Sequence, residues 1–467
     1  MEKKNEGIYD GFKELGTGKM MVLGIQHVFA MFGATVLVPI LSGLDISVTL
    51  FAAGIATLWF FFITKRKVPI FLGSSFAFLG AYASVAADDP NRLALIGGGV
   101  VAAGLLYVIF AALFGIFGAK RVMKLFPPVV TGPIIILIGL TLAGSAINNA
   151  SQNWILAAIT IIIVICVNLF GKGMIKILPI LCAVFGAFAI GLIVHLISPN
   201  LFGLTWLNAD PWINAFGPEA TVGISTFVDV PPFHLPQFDF SICLTFIIVA
   251  IAAMVEHIGD ICAIGATCGK NFIKDPGLTR TLLGDGVGTS LAGLIGGPAN
   301  TTYSENTGVV ALTKVYDPKV MFIAACFSIV LSFVAIFKTF IQMIPNAIIG
   351  GISIVLYGMI SATGIRTIIE HKVNYANMRN VIITALIMVL GLGIQYSHAM
   401  GLTVLFDDAG IAYNTLNGAV KIGSVQFGGL ACAAIVGILA NILIPGKDYN
   451  FDMEDGDTKE TDPAPQQ

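Results

Sequence analysis

VPIFLGSSFAFLGAYASVA, residues 68–86, and GGPANTTYSENTGVVALTK, residues 296–314, decide how this chain is built. Each opens with proline and glycine, passes through small hydroxyl residues, and ends in a stretch long enough for only a few helical turns. A membrane-crossing helix needs about 20 residues, which neither stretch has after its break. Each therefore reads as an extended segment followed by a half-helix. The β-prone residues Ile70-Phe71 and Thr301-Thr302-Tyr303 would let the two extended segments pair. The half-helices would begin near Phe76 and Glu305, bringing unsatisfied backbone N–H groups together. In hydrocarbon, unwound backbone is tolerated only where protein covers it or it lines a cavity.

The surrounding composition makes a bilayer the solvent. Only 11% of residues are charged, 56% are apolar, and the mean hydropathy is +0.89. That is too little charge for the surface of a soluble chain of 467 residues. Apolar runs of spanning length recur, most plainly at 20–41, 93–117, 154–170, 177–197, 320–337 and 427–444. They are continuously apolar and not alternating, so the expected fold is an all-α polytopic membrane protein and not a barrel. The first run is too long for a signal-peptide core and lacks a small-residue cleavage site, so it reads as the first span. The seven cysteines are scattered, which supports neither a disulfide framework nor a metal site. With a net charge of −2 and no basic block longer than Lys65-Arg66-Lys67, no nucleic-acid surface is expected.

Fourteen candidate spans can be drawn. Counted over the loops between them, 22 of the 25 basic residues fall on one side, the exceptions being Arg92, Lys338 and Lys421. The positive-inside rule then puts both termini in the cytoplasm. Residues 198–237, with no Lys or Arg, form an extracellular loop region; residues 1–19 are a cytoplasmic tail, and 446–467 an acidic tail expected to be disordered.

The two halves echo each other. Gln26-His27 matches Glu256-His257, Ser74-Ser75-Phe76 matches Thr301-Thr302-Tyr303, and Pro127 with Gly132 matches Pro345 with Gly350. Three landmarks in one order indicate seven spans duplicated, and an odd number per half inserts the second copy upside down. Inverted repeats of this kind belong to secondary transporters, whose substrate lies at the repeat interface near the midplane.

Glu256 sits within the apolar run IIVAIAAMVEHIGDICAIGA and must face a partner or a cavity. Asp260 follows one turn later on the same face. Two acids so close cannot easily both ionise, so one should carry a proton, as a proton-coupled carrier requires. Glu305 heads the second half-helix, where a carboxylate suits the helix dipole. Phe76 and Tyr303 would offer flat faces to a flat heterocycle, and His27 is a third polar candidate. Plainer structural readings compete: Glu256 as a helix-packing contact, Asp260 hydrogen-bonded to a broken segment, Glu305 as a cap, His27 bonded to a neighbouring span, the aromatics as packing. No metal, cofactor, nucleophile or phosphate-binding loop is assembled, so neither an enzyme nor an ATP-driven pump is expected. A channel-like facilitator remains the alternative class.

ENTGVVALTK at 305–314, with Asn306, Gly308 and Thr313, resembles the signature of the nucleobase–ascorbate transporter family. Gln26-His27, LGSSFAF at 72–78 and EHIGD at 256–260 are similar to the same family, and the likeness runs from 19 to 444. It is strongest to the bacterial uracil members. The resemblance implies fourteen spans in two inverted repeats, divided into a core domain (20–125 and 238–340) and a gate domain (126–197 and 341–445). It also implies homodimers in a bacterial cytoplasmic membrane and, for the uracil members, proton symport. By that likeness Glu256 and Glu305 would hydrogen-bond the base, and backbone N–H groups near Phe76 (beside Ser75) and Ser304 would meet its carbonyls. Phe76 would pack on the ring, while His27 and Tyr357 would act through water. Asp260 stands where uracil members often have His, and Ser304 where they have Gly; purine-carrying relatives share both changes. Glu305 stands where xanthine and urate carriers usually have Gln. Uracil is the expected substrate and xanthine the alternative.

Overall fold

The computed structural model describes residues 7–85, 89, 91–118, 124–172, 175, 178–197, 210–217, 223–397, 414–416, 419–422 and 425–446. It is an all-α polytopic membrane protein with small strands at two places. Among the described residues eight helices are long and apolar enough to cross a membrane, and three shorter apolar helices accompany them.

The chain begins with α1 (Gly16–Ala30) and α2 (Phe32–Ser42), nearly continuous through Met31, then α3 (Ile46–Ile63). Asp45 caps α3 by accepting from the N–H groups of Ser47 and Val48. The first broken stretch gives β1 (Leu72–Ser74), a 3-10 turn at Phe76–Phe78, and the short α4 (Leu79–Ser84). Helices α5 (Arg92–Phe117), α6 (Pro128–Thr141), α7 (Ala143–Ser151), α8 (Trp154–Phe170) and α9 (Pro179–Ile197) follow. Pro128 opens α6 at its first turn, where the missing N–H costs no hydrogen bond.

The second half opens with α10 (Phe240–Cys268), capped by Asp239 and stopped by Gly269 in the left-handed conformation. Next come α11 (Leu278–Leu294), β2 (Asn300–Thr302) and α12 (Ser304–Thr313). Helices α13 (Lys319–Ser332), α14 (Asn346–Glu370, preceded by Pro345), α15 (Met378–Gln395) and α16 (Gly429–Leu443) complete it.

The extended segments do pair. Strands β1 and β2 run antiparallel, with Leu72 opposite Thr302, Gly73 opposite Thr301 and Ser74 opposite Asn300. The first strand lies just beyond Ile70-Phe71, although Phe71 still accepts from Tyr303 N–H at 3.1 Å and Ser75 N–H reaches Ala299 O at 2.9 Å. Side chains pin each strand from behind. Thr57 of α3 accepts from Leu72 N–H at 2.9 Å and donates to Leu72 O at 3.2 Å. Thr289 of α11 donates to Asn300 O at 3.2 Å, a matching position in the other half. These bonds satisfy backbone groups that would otherwise be costly away from water.

Helix contacts are exchanged between the halves. Helix α3 packs on α13 as α11 packs on α5; α1 meets α13 as α10 meets α5; α6 meets α15 as α14 meets α8. Pairs α3–α11, β1–β2 and α6–α14 meet directly. This is the pattern that inverted-repeat packing would produce. Small residues permit a close crossing of α5 and α11: a Cβ on Gly104 of α5 would lie 2.4 Å from Gly286 O, and one on Gly286 of α11 2.8 Å from Gly104 O.

A three-stranded antiparallel sheet, β3 (Asn414–Leu416), β4 (Ala419–Ile422) and β5 (Val425–Gly428), precedes α16 and was not anticipated. It takes the first residues of the apolar run at 427–444. The Gly428-Gly429 pair, poor in helix propensity, marks the change from strand to helix. Residues 198–209 and 218–222 of the expected outer loop, and the tail 447–467, lie outside the described residues. Between them the chain forms short helices Asp210–Phe216 and Ile224–Phe227.

Candidate functional site

Helices α3 and α2 pack on β1 and helices α10 and α11 on β2; α10 also meets the turn at Phe76–Phe78, and half-helix α12 meets α10 and α1. Their polar residues are those singled out in the sequence. Glu256 is half-buried on α10, and Asp260, one turn on, is buried. Thr302 Oγ1 donates to Asp260 Oδ2 at 2.8 Å, so this carboxylate is tied to β2.

The half-helices start without side-chain caps. Neither Ser75, before the turn at Phe76, nor Tyr303, before α12, accepts from the following N–H groups. Ser304 and Glu305 open α12; their side chains lie outside the described part of the structure. Around these starts several buried polar atoms lack partners among the described residues. They include the Ser75 and Thr301 hydroxyls, both amide atoms of Asn306, the Thr307 hydroxyl, Gln26 Nε2 and both ring nitrogens of His27. Buried polar atoms are nearly always hydrogen-bonded, so such a concentration marks where a polar ligand or ordered water belongs. Asn306 and Thr307 belong to the signature stretch; Gly308 follows, and Thr313 donates to Val309 O at 2.9 Å near the end of α12.

The aromatic residues divide. Phe76 is 7% exposed and meets Tyr357 of α14 edge-on, with ring centroids 5.5 Å apart at 78°. Tyr303 lies across β1: a Cβ on Gly73 would fall 2.5 Å from its ring. Its hydroxyl donates to Ser74 O at 2.9 Å and lies 3.1 Å from Ser74 Oγ and 3.3 Å from Thr35 Oγ1. Tyr82 mirrors it, its hydroxyl accepting from Ala299 N–H at 2.8 Å.

One buried pair escaped the sequence reading. His257 Nδ1 lies 2.9 Å from Asp285 Oδ2, and neither side chain has any exposure. Tyr107 of α5 is fully buried as well. The glycine spacing of α11 hid this pair, since nothing local to Asp285 shows that α10 turns His257 toward it. No group of three or more His, Cys, Asp or Glu able to hold a metal occurs among the described residues.

The sequence matches the model of a permease family, Xan_ur_permease, over residues 18–400. The chain belongs to this permease family. It is 35% identical over 445 residues to the uracil permease of Bacillus caldolyticus, covering 92% of this chain and 93% of that one. To the uracil permease of Bacillus subtilis (strain 168) it is 36% identical, covering 90% and 91%. To that of Escherichia coli (strain K12) it is 33% identical, covering 93% and 95%. Among solved structures, the transmembrane domain of the cyanobacterial bicarbonate transporter BicA matches at TM-score 0.54 with 18% identity, over 82% of this chain and 96% of that one. Murine Solute Carrier 26 family member A9, an anion transporter, matches at TM-score 0.59 with 10% identity, over 91% and 67%. At those identities the likeness is one of fold alone. As a permease, the chain is a transport protein and not an enzyme.

Proposed function

We propose that this permease is a proton-coupled symporter that imports uracil across a bacterial cytoplasmic membrane by alternating access. The observation that carries the reading is the gathering, about two uncapped half-helix starts, of Glu256, Asp260 and the polar atoms of Ser75, Asn306 and Thr307 that lack partners among the described residues. The three uracil permeases of similar sequence supply the substrate.

Fourteen spans in two inverted repeats account for the helices: eight long, three short and apolar, α11, and two broken spans built from a strand and a half-helix. The exchanged helix contacts support the repeat. Basic residues support the orientation with both termini in the cytoplasm. Lys67 pairs with Asp275, Lys270 of the same loop lies over the Tyr9 ring 4.4 Å from its centroid, and Lys319 pairs with Asp10, so those loops share one end with the N-terminal segment. Two of the exceptions lie at the other end and are compensated there. Lys338 is paired with Asp45, and Arg92 donates to Ser42 O and Tyr82 O.

In this reading Glu256 and Glu305 accept from the ring N–H groups of the base, and backbone N–H groups at Phe76 and Ser304 meet its carbonyls. Phe76 packs on the ring and Tyr357 carries that contact to the gate domain. His27 joins through water. Tyr303 positions β1 instead of stacking on the substrate. Glu256 and Asp260 share the coupling proton: a proton on this pair favours the loaded outward-facing state, and its release inside weakens binding. The core domain then moves past the gate, hinged near Pro127 and Pro345, and two copies pair as a homodimer.

Asp260 and Ser304 favour xanthine as the second reading, against Glu305. Uptake of labelled uracil into cells lacking their own carrier tests this. Accumulation that excess xanthine leaves unchanged and a protonophore abolishes supports the proposal; block by xanthine supports the alternative. Absence of counterflow would make the protein a channel-like facilitator.

A further inference from the structure

Away from the strands, a cavity of about 210 Å³ opens among the ends of α6, α14, α15 and α16. That is several times the roughly 30 Å³ share of one water molecule. Lys124, His371, Lys372 and Arg379 line it, with amides of Asn374, Asn380 and Asn441, and no carboxylate does so among the described residues.

Arg379 is the buried member, 8% exposed. Four of its five N–H donors are used, all by neutral oxygens. Nε meets Ile444 O at 3.2 Å, Nη2 meets Asn441 O at 2.7 Å and Asn441 Oδ1 at 2.8 Å, and Nη1 meets Asn380 Oδ1 at 3.5 Å. These bonds fix the guanidinium plane and leave one Nη1 donor. The walls are braced separately: Asn380 Nδ2 donates to Asn374 O, and Asn441 Nδ2 to Lys124 O, each at 3.0 Å. Lys372 holds a left-handed backbone (φ 50°) just beyond α14, so the chain turns sharply at the rim.

A buried cation is normally matched by a counter-charge, and truncation of either partner is costly when it is. Among the described residues no such match lines the cavity. A fixed guanidinium with two lysines at the rim suits a tetrahedral oxyanion. The position, at helix ends where the span meets the interface, is where basic pockets between helices take anionic headgroups.

We propose that this cavity is a phosphate-binding site, taking the phosphate of an anionic phospholipid headgroup or a free phosphate. It is separate from the transport site and does not depend on the substrate assignment.

The test uses delipidated full-length protein in neutral detergent, with thermal unfolding followed by tryptophan fluorescence. It is titrated with short-chain phosphatidylglycerol, with the matching phosphatidylcholine, and with inorganic phosphate. Phosphatidylglycerol is expected to raise the midpoint saturably and phosphatidylcholine not to. Because Arg379→Gln would cut three bonds to the end of α16 and could fail to fold, the informative variant is Lys124→Gln/Lys372→Gln, both positions being exposed. It should keep the unliganded midpoint and raise the half-saturating concentration at least about fivefold, following the loss of two contacts to a charged group. An equal response to inorganic phosphate identifies a soluble ligand; a response to phosphatidylglycerol alone identifies the headgroup. The proposal fails if neither probe shifts the midpoint, if phosphatidylcholine does so equally, or if the double variant keeps the wild-type half-saturation.

Discussion

Thr302 Oγ1 donates to Asp260 Oδ2 at 2.8 Å, joining strand β2 to helix α10. The bond puts an ionisable group in direct contact with the element that aims half-helix α12. A change in the charge of Asp260 therefore acts on the strand pair and, through it, on the start of α12.

Thr302→Val keeps the shape of the side chain and removes that donor. A hydrogen bond to a charged group contributes about 1.5–3 kcal/mol, so proton-driven accumulation should fall roughly 10- to 100-fold. Thr302→Ser should restore most of it. Initial rates and accumulation ratios of labelled uracil, at matched expression, measure both; an unchanged ratio in the valine variant would detach the bond from coupling.

The buried His257–Asp285 pair should behave as a unit. Removing one partner leaves the other uncompensated at a cost of about 3–5 kcal/mol, so His257→Phe and Asp285→Leu should each sharply lower the thermal midpoint. The double variant should recover part of the loss. Thermal unfolding of the purified variants checks this, and additive losses would show the two groups to be independent.

Tyr303 and Gly73 constrain each other, since any Cβ on Gly73 runs into the tyrosine ring. Gly73→Ala should abolish uptake, and adding Tyr303→Ala should restore folded protein without restoring the bond to Ser74. Tyr303→Phe keeps the ring and loses the hydroxyl contacts, a loss of about 1 kcal/mol. Fluorescence-detected size exclusion and uptake separate folding from function in each case.

At the α5–α11 crossing the obstacle is backbone, because a Cβ on Gly104 meets Gly286 O at 2.4 Å. Gly104→Val should destabilise by at least about 1–3 kcal/mol, the usual range for overpacking. A wild-type unfolding midpoint would mean that the helices separate easily.

The broken spans were legible because proline, glycine and hydroxyl residues interrupt apolar runs in both halves at matching places. Thr302, Tyr303 and Phe76 could be named from that pattern, and Asp260 from its place one turn after Glu256; each sits at or beside the strand pair. Their partners could not be named. That Tyr303 crosses to Gly73 depends on how β1 and β2 are brought together, and that Asp260 answers Thr302 on how α10 meets β2, which no local spacing encodes. His257 stood beside Glu256 in plain view, but its direction follows from the helical turn and from a partner 28 positions further on at Asp285. The sheet before α16 escaped notice because its last residues continue directly into an apolar helix.

The most direct test of the account is uracil uptake by purified protein in liposomes, driven only by an imposed inward proton gradient, for the wild type and Glu256→Gln. The account predicts that the wild type accumulates uracil above equilibrium, that a protonophore collapses the accumulation, and that Glu256→Gln does not accumulate. Uphill accumulation by Glu256→Gln with normal proton entry, or wild-type uptake indifferent to the gradient, would contradict it.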